Sequence, residues 1–272
     1  LWAAGIAFFV RAFWVRRADN PNTDFTDSTD KHGFYLFKKI HVQSIRAIRV
    51  PKWFVVFTAI LLIAAFFRFH RLDALPAEPF SDHAEKILDV YDITQGETRI
   101  FFPRNTGREA IQFYWTVLMA AVFQTGLTFQ SLKIGTALLG FFTLPFIYLL
   151  GKEIATRRAG LLAMLFAGIA YWPNVISRVG LRFPLYPLFV APTFFFLLRG
   201  IRTRNRNDFI LSGMFLGIGL HGYTPFRIVY LLVLLTFLLY ALHSLRNTQY
   251  AIRNLILLSI TALIIFLPLL RY

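Results

Sequence analysis

The chain has 272 residues, 57% of them hydrophobic, and a formal net charge of +15. Soluble domains average about 45–50% apolar, so a polytopic membrane protein is the first reading. The Lys and Arg residues sit mainly in short segments between apolar runs, as in cytoplasmic membrane loops, which argues against nucleic acid as a partner. There is no cysteine, which excludes disulfides and thiolate metal sites and leaves the compartment open.

In chain order, residues 1–15 read as the tail of a membrane helix, and residues 18–32, with Asp19, Asp24, Asp27 and Asp30, read as a polar loop. From Phe34 to Lys52 come Lys38, Lys39, Arg46, Arg49 and Lys52 without an acid, interleaved with apolar residues. That pattern suits either a helix lying on an anionic inner leaflet or an ordinary basic flank before a span. Residues 1–50 are thus expected to be an upstream helix end plus a cytoplasmic linker, and residues 51–272 a membrane-embedded core. Because Leu1 and Tyr272 both adjoin hydrophobic runs, the chain is expected to be part of a longer protein.

Residues 53–67 are uninterrupted apolar and with their flanks approach the ~20 residues that cross a bilayer. Their basic N-terminal flank predicts that residues 70–109 emerge on the outer face. Further apolar runs lie at 110–126, 131–150, 159–173, 184–199, 209–222, 226–242 and 254–270. Placing the basic breaks in the cytoplasm leaves both ends of the run 110–126 on the outer face. We therefore expect that run, which is short and contains Gln112, Thr116, Gln124 and Thr125, not to cross fully. The predicted architecture is an all-α integral membrane protein: a polytopic helix bundle whose long first outer loop carries juxtamembrane helices.

That loop holds Asp82, Glu85, Asp89 and Asp92, spaced i, i+3, i+7 and i+10, which one face of a helix presents together. Two readings of this face are open. Asp82 and Glu85 could form an N-terminal capping box with the other acids merely solvated. Alternatively, a carboxylate at the outer membrane surface is placed to act as general base towards a lipid-linked substrate, with Glu85 raising its pKa and Lys86 lowering it.

The order of motifs resembles the GT-C glycosyltransferases, in the branch with bacterial relatives of the protein O-mannosyltransferases and of the aminoarabinose transferase. The resemblance is carried by Phe80-Ser81-Asp82-His83, by Phe102-Pro103-Arg104-Asn105-Thr106-Gly107-Arg108-Glu109 leading into Gln112-Phe113-Tyr114-Trp115, by the small-residue helix from Leu132 to Gly140, and by Gly217 to Arg227. It covers residues from about 51 to the end. It implies inverting transfer of a sugar from a polyprenyl-phosphate donor to a lipid, glycan or protein acceptor at the extracytoplasmic face of a multi-pass cell-membrane protein. It also implies Asp82 as general base. Family members often have Asp-Glu where this chain has Asp82-His83, so Glu85 is the expected second acid, or His83 itself titrates or binds an ion. A divalent metal is compatible with the motif, but no cofactor is required by it.

A phosphate-bearing donor calls for cations, for which Arg suits by its forked donors. Lys86, Arg104, Arg108, Arg178, Arg182 and Arg227 are the candidates on the outer side, against the plainer role of interfacial anchors. His83, Gln112, Tyr114 and Tyr223 are the candidates for acceptor or sugar contact. The histidines show no metal spacing. A transporter or flippase, or a non-catalytic membrane subunit, is the alternative. The first would place ionisable residues in mid-span, and the runs 131–150 and 254–270 lack them until their ends.

Overall fold

The computed structural model describes residues 51–105, 107–243 and 248–272, together with the isolated helical positions Ala3 and Ala7. The helix end, polar loop and basic stretch expected within residues 1–50 lie outside the described residues.

The described chain is a helix bundle. Helix α1 (Lys52–Phe69) is followed by α2 (Ser81–Thr94), a small hairpin of β1 (Phe101–Phe102) and β2 (Arg108–Glu109), α3 (Ile111–Phe123), α4 (Phe129–Ile154), α5 (Arg157–Ile169) and α6 (Tyr171–Arg178). Then come α7 (Leu185–Thr203), α8 (Arg206–Gly219), a 3-10 turn (Thr224–Phe226), α9 (Arg227–His243) and α10 (Thr248–Leu270). Helices α1, α4, α7 and α10, and the segment Thr224–His243, are long and apolar enough to cross a membrane. Much of their surface is exposed Leu, Ile, Val and Phe, as on Leu62, Phe66, Leu231 and Ile256, the surface that hydrocarbon rather than water would cover.

Two apolar runs differ from expectation. The run 159–173 is not one straight helix: α5 and α6 meet at a 56° bend. The carbonyls freed there are capped by side chains. Buried Arg68 of α1 donates to Gly168 O at 2.9 Å and to Ala167 O at 3.1 Å, and Asn174 Nδ2 donates to Gly168 O and Ala170 O. The run 209–222 yields only the 14-residue α8, about 21 Å long. It is wedged between α7 and α10, where Gly213 is needed because an added Cβ would lie 2.5 Å from Leu258 O.

Side-chain contacts fix which helix ends lie together. Lys133 Nζ, near the start of α4, donates to Asp73 O at 3.0 Å and Pro76 O at 3.2 Å just past the end of α1. Arg178, ending α6, donates to Phe67 O, His70 O, Arg71 O and Leu75 O in the same region. At the other pole Glu153, near the end of α4, pairs with Arg202, and Asp208 of α8 pairs with Arg199 of α7. The end of α1, the starts of α4 and α7 and the end of α6 therefore share one pole. Helix α3 starts at that pole and hands over to α4 at the same pole. With 13 residues it reaches about 20 Å, short of the ~30 Å hydrocarbon core, as expected for 110–126.

Candidate active site

Helix α2 lies at this pole and does not begin as the capping box predicts. Its N-cap is Phe80, and His83, not Glu85, closes the turn: His83 Nδ1 accepts from Phe80 N–H at 3.1 Å. The proton is then on Nε2, which donates to Val179 O at 2.6 Å. Burial pushes the His83 pKa down, in keeping with a neutral ring. Both nitrogens are occupied, so the expectation that His83 binds an ion or a sugar is not met by its geometry. Its work is to pin α2 to the α6–α7 connection. The carboxylates of Asp82 and Glu85, freed from capping, turn outward.

The hairpin Phe101–Glu109 meets that acidic face. Residues Phe101 and Phe102 pair with Glu109 and Arg108, while Phe102 packs its ring on Phe113 of α3, which anchors the hairpin in the bundle. The turn then projects Arg104, Asn105 and Arg108 at α2. Arg104 donates to Asp89 Oδ1 at 2.8 Å and also to Asp92. Arg108 donates to Glu85 Oε2 at 2.6 Å and to Asp82 Oδ1 at 3.4 Å, and Asn105 Nδ2 donates to Asp82 Oδ1 at 3.0 Å. The four acids predicted to share a face do so, and the face is matched by two guanidinium groups. Asp89 is fully buried, and burial raises its pKa although Arg104 pulls it back.

Asp82 opens onto a polar cavity of about 250 Å³, lined also by Lys86, Asn105, Arg108, Leu181, Arg182, Phe183 and Tyr223. Asp82 Oδ1 is taken by Asn105 and Arg108, while Oδ2 has no partner among the described residues. Lys86 is 3% exposed and donates to Asp82 O at 3.1 Å. Burial first, then the neighbouring Arg108, depress its pKa to about 8. Arg182 is held by Glu109, whose Oε2 accepts from it at 2.8 Å while Oε1 accepts from Thr224 Oγ1 at 2.8 Å. The Tyr223 ring lies under the Arg182 guanidinium at 5.3 Å.

Of the residues singled out in the sequence, Asp82, Lys86, Arg108, Arg182 and Tyr223 thus line one cavity, with Glu85 bonded to Arg108 beside it. Arg104 binds the far end of the acidic face. The others lie elsewhere. Arg178 uses Nη1 and Nη2 on four carbonyls at and just past the end of α1 and does not line the polar cavity. Gln112 donates to Gly180 O, and Tyr114 to Arg99 O. Arg227 lines a separate apolar groove. Two cavity contributors went unnoticed in the sequence. Asn105 lies inside a quoted motif but is an uncharged residue in a turn. Glu109 is 1% exposed, and only the fold brings it to Arg182 and Thr224. Among the described residues no group of three or more His, Asp or Glu side chains is placed to hold a metal ion. The oxygens of Asp82 and Glu85 face cations and an amide, a donor set that suits an anion or a hydroxyl and does not fit a metal.

In one small polar cavity the Asp82 carboxylate can take a proton while Lys86, Arg108 and Arg182 can stabilise a phosphate. No curated protein and no solved structure matches the chain. The family description that matches, over residues 110–272, is dolichyl-phosphate-mannose-protein mannosyltransferase. With more than half of the chain covered by that match and a bundle of membrane-length helices around it, the chain belongs to the dolichyl-phosphate-mannose-protein mannosyltransferase family of membrane glycosyltransferases.

Proposed function

We propose that this protein transfers a hexosyl or pentosyl unit from a polyprenyl-phosphate donor to an acceptor at the extracytoplasmic face, with inversion. Asp82 acts as the general base. The observation that carries the reading is the cavity in which Asp82 faces Lys86, Arg108 and Arg182. The unpartnered Oδ2 takes the proton of the acceptor hydroxyl or amine. The acceptor atom attacks the anomeric carbon, the carbon–oxygen bond to phosphate breaks, and its electron pair leaves on the phosphate. Lys86 and Arg182 offset that developing charge. Glu85 acts through Arg108, which it holds against Asp82.

An apolar cavity of about 520 Å³ shares Phe183 and Tyr223 with the polar one and continues between Leu144, Ile147 and Pro187. It offers the isoprenoid chain a path that ends with its phosphate beside Arg182. The choice of face is supported by the short basic breaks between helices, among them Arg199, Arg202, Arg204 and Arg206, which lie at the opposite pole and read as cytoplasmic loops.

The test is Asp82→Asn in the full-length enzyme in its membrane. Sugar transfer from a radiolabelled polyprenyl-phosphate donor should fall by about 10³-fold or more, while binding of the donor persists. Turnover near the parent level would end the assignment of Asp82.

A further inference from the structure

We infer that His83 is a positioning residue for this transfer: its two ring nitrogens hold the base on α2 in register with the phosphate-binding cation on the α6–α7 connection, and they do so only while the ring is neutral. The inference rests on the glycosyl-transfer reading above and names what governs the geometry of that site.

His83 follows Asp82 directly and precedes Lys86 by three residues, so it shares the start of α2 with both. Val179, whose carbonyl accepts from His83 Nε2 at 2.6 Å, stands just before Gly180 and three residues before Arg182. Gly180 O in turn accepts from Gln112 Nε2 at 2.8 Å. Two consecutive carbonyls of the connection are thus fixed, and the residues that follow, Leu181, Arg182 and Phe183, all line the polar cavity. Gly180 makes the approach possible. Its φ is +77°, and an added Cβ would lie 3.2 Å from Leu132 Cβ and 3.3 Å from Phe129 Cε2. Glu109 aims the guanidinium of Arg182, whereas His83 sets the main chain that carries it.

The ring is sealed from water. It is fully buried and packs on the rings of Phe80 and Phe129, at centroid distances of 4.1 and 4.5 Å. Nδ1 accepts from Phe80 N–H, so only a neutral ring with its proton on Nε2 serves both bonds. A second proton would set one N–H against another and leave Phe80 N–H without its acceptor. Burial holds the His83 pKa below its ordinary 6.5; Lys86 reinforces this, while the Val179 carbonyl and Asp82 oppose it. Of the other charges nearby, Arg182 on the connection is matched by Glu109, and Lys133 of α4 lies over the Phe129 ring at 4.7 Å. Proton uptake in mild acid therefore loosens α2 from the connection, and with it Asp82 from Arg182.

Two measurements on the full-length enzyme in its membrane test this. The first is equilibrium binding of a radiolabelled polyprenyl-phosphate sugar from about pH 7 to about pH 4.5. It uses the Asp82→Asn background, in which the base itself no longer titrates. Affinity should fall about tenfold, the worth of one hydrogen bond, and adding His83→Gln should abolish that fall. Glutamine at the third position of a helix accepts from the N-cap N–H, as in a capping box, and its amide offers Val179 O a donor that does not titrate. The second measurement is steady-state kinetics near neutral pH. His83→Ala should raise donor KM and lower kcat, each about tenfold, and His83→Gln should recover both to within about threefold. An affinity that is flat with pH, or that falls equally with His83→Gln, would overturn the inference while leaving glycosyl transfer standing. So would a His83→Ala enzyme with a lower thermal midpoint but intact kcat and KM. Binding that follows His83 in a parent enzyme that moves no sugar would instead overturn the reaction, leaving His83 as the support of a lipid-phosphate site. Absence of donor binding at every pH would overturn both.

Discussion

Arg182 and Glu109, 73 residues apart in the chain, meet at 2.8 Å with Glu109 buried. Thr224 completes the shell of that carboxylate, and Tyr223 supports the guanidinium from beneath. The pair joins the hairpin, the α6–α7 connection and the 3-10 turn in one place. Removing one partner of a buried pair leaves the other charge unpaired and costs roughly 3–5 kcal/mol. Glu109→Ala should therefore lower the thermal midpoint measurably in detergent. Glu109→Gln keeps the volume and one acceptor but loses the charge that aims Arg182. It should raise the donor KM about tenfold with a smaller change in kcat. Equal loss in both parameters would place Glu109 in the chemical step instead.

Lys86 makes the cavity sensitive to mild alkali. Its folded pKa of about 8, against 10.5 for the free side chain, means that the cation is lost as pH rises through 8. Donor KM should climb between about pH 7.5 and 9.5, and Lys86→Arg, which stays charged, should flatten that limb. The stability effect has the opposite sense. Between 8 and 10.5 the unfolded chain binds more protons at this position than the folded one, so unfolding becomes less favourable as pH rises there. A pH–KM profile unchanged by Lys86→Arg would remove Lys86 from donor binding.

The helical face of acids was legible in the sequence because its period is local: positions 82, 85, 89 and 92 need only a helix to come together. Membrane-length helices were legible from run length, and the shortfall of 110–126 from the charge bias of the loops around it. What the acids face was not legible. The strands of the hairpin are two residues each, too short for an alternating pattern to register. Arg104 and Arg108 therefore looked like free cations although each is matched by carboxylates. The sequence order of Arg178 and Arg182 hides their separation in role. One turn of chain puts one on the carbonyls of α1 and the other in the cavity. The bend between α5 and α6 depends on Arg68, about 100 residues upstream of the carbonyls it caps, a contact that no local signal announces.

Arg178 offers a clean contrast with Arg182. Its four acceptors are the terminal carbonyls of α1 and of the segment that leads to α2. Arg178→Met takes the guanidinium donor from Phe67 O, His70 O and Leu75 O, while Arg71 O keeps the N–H groups of Ala74 and Leu75; each of these exposed bonds is worth about 0.5–1.5 kcal/mol. We expect a lower thermal midpoint and greater protease sensitivity at residues 70–79, with the donor KM of the remaining folded enzyme unchanged. Arg182→Met should show the reverse emphasis, with the KM effect dominant. A KM increase for Arg178→Met as large as that for Arg182→Met would return Arg178 to the donor site.

Two glycines at helix crossings predict opposite outcomes for second-site rescue. At Gly140 an added Cβ would sit 2.1 Å from Ser177 Oγ and 2.8 Å from Ser177 Cβ, both side-chain atoms of one residue. Gly140→Ala should therefore destabilise by about 1–3 kcal/mol, as overpacking does. Ser177→Gly should restore most of it, less the ~1 kcal/mol that a glycine costs within a helix, whereas Ser177→Ala retains the clashing Cβ and should not. At Gly213 the atom in the way is Leu258 O, part of the main chain of α10, at 2.5 Å. No side-chain replacement at 258 moves that oxygen, so Gly213→Ala combined with Leu258→Ala should be at least as unstable as Gly213→Ala alone. Thermal midpoints of these five variants and the parent in one detergent decide the matter. Rescue at 258 would mean that α8 and α10 do not cross as closely as the carbonyl contact requires.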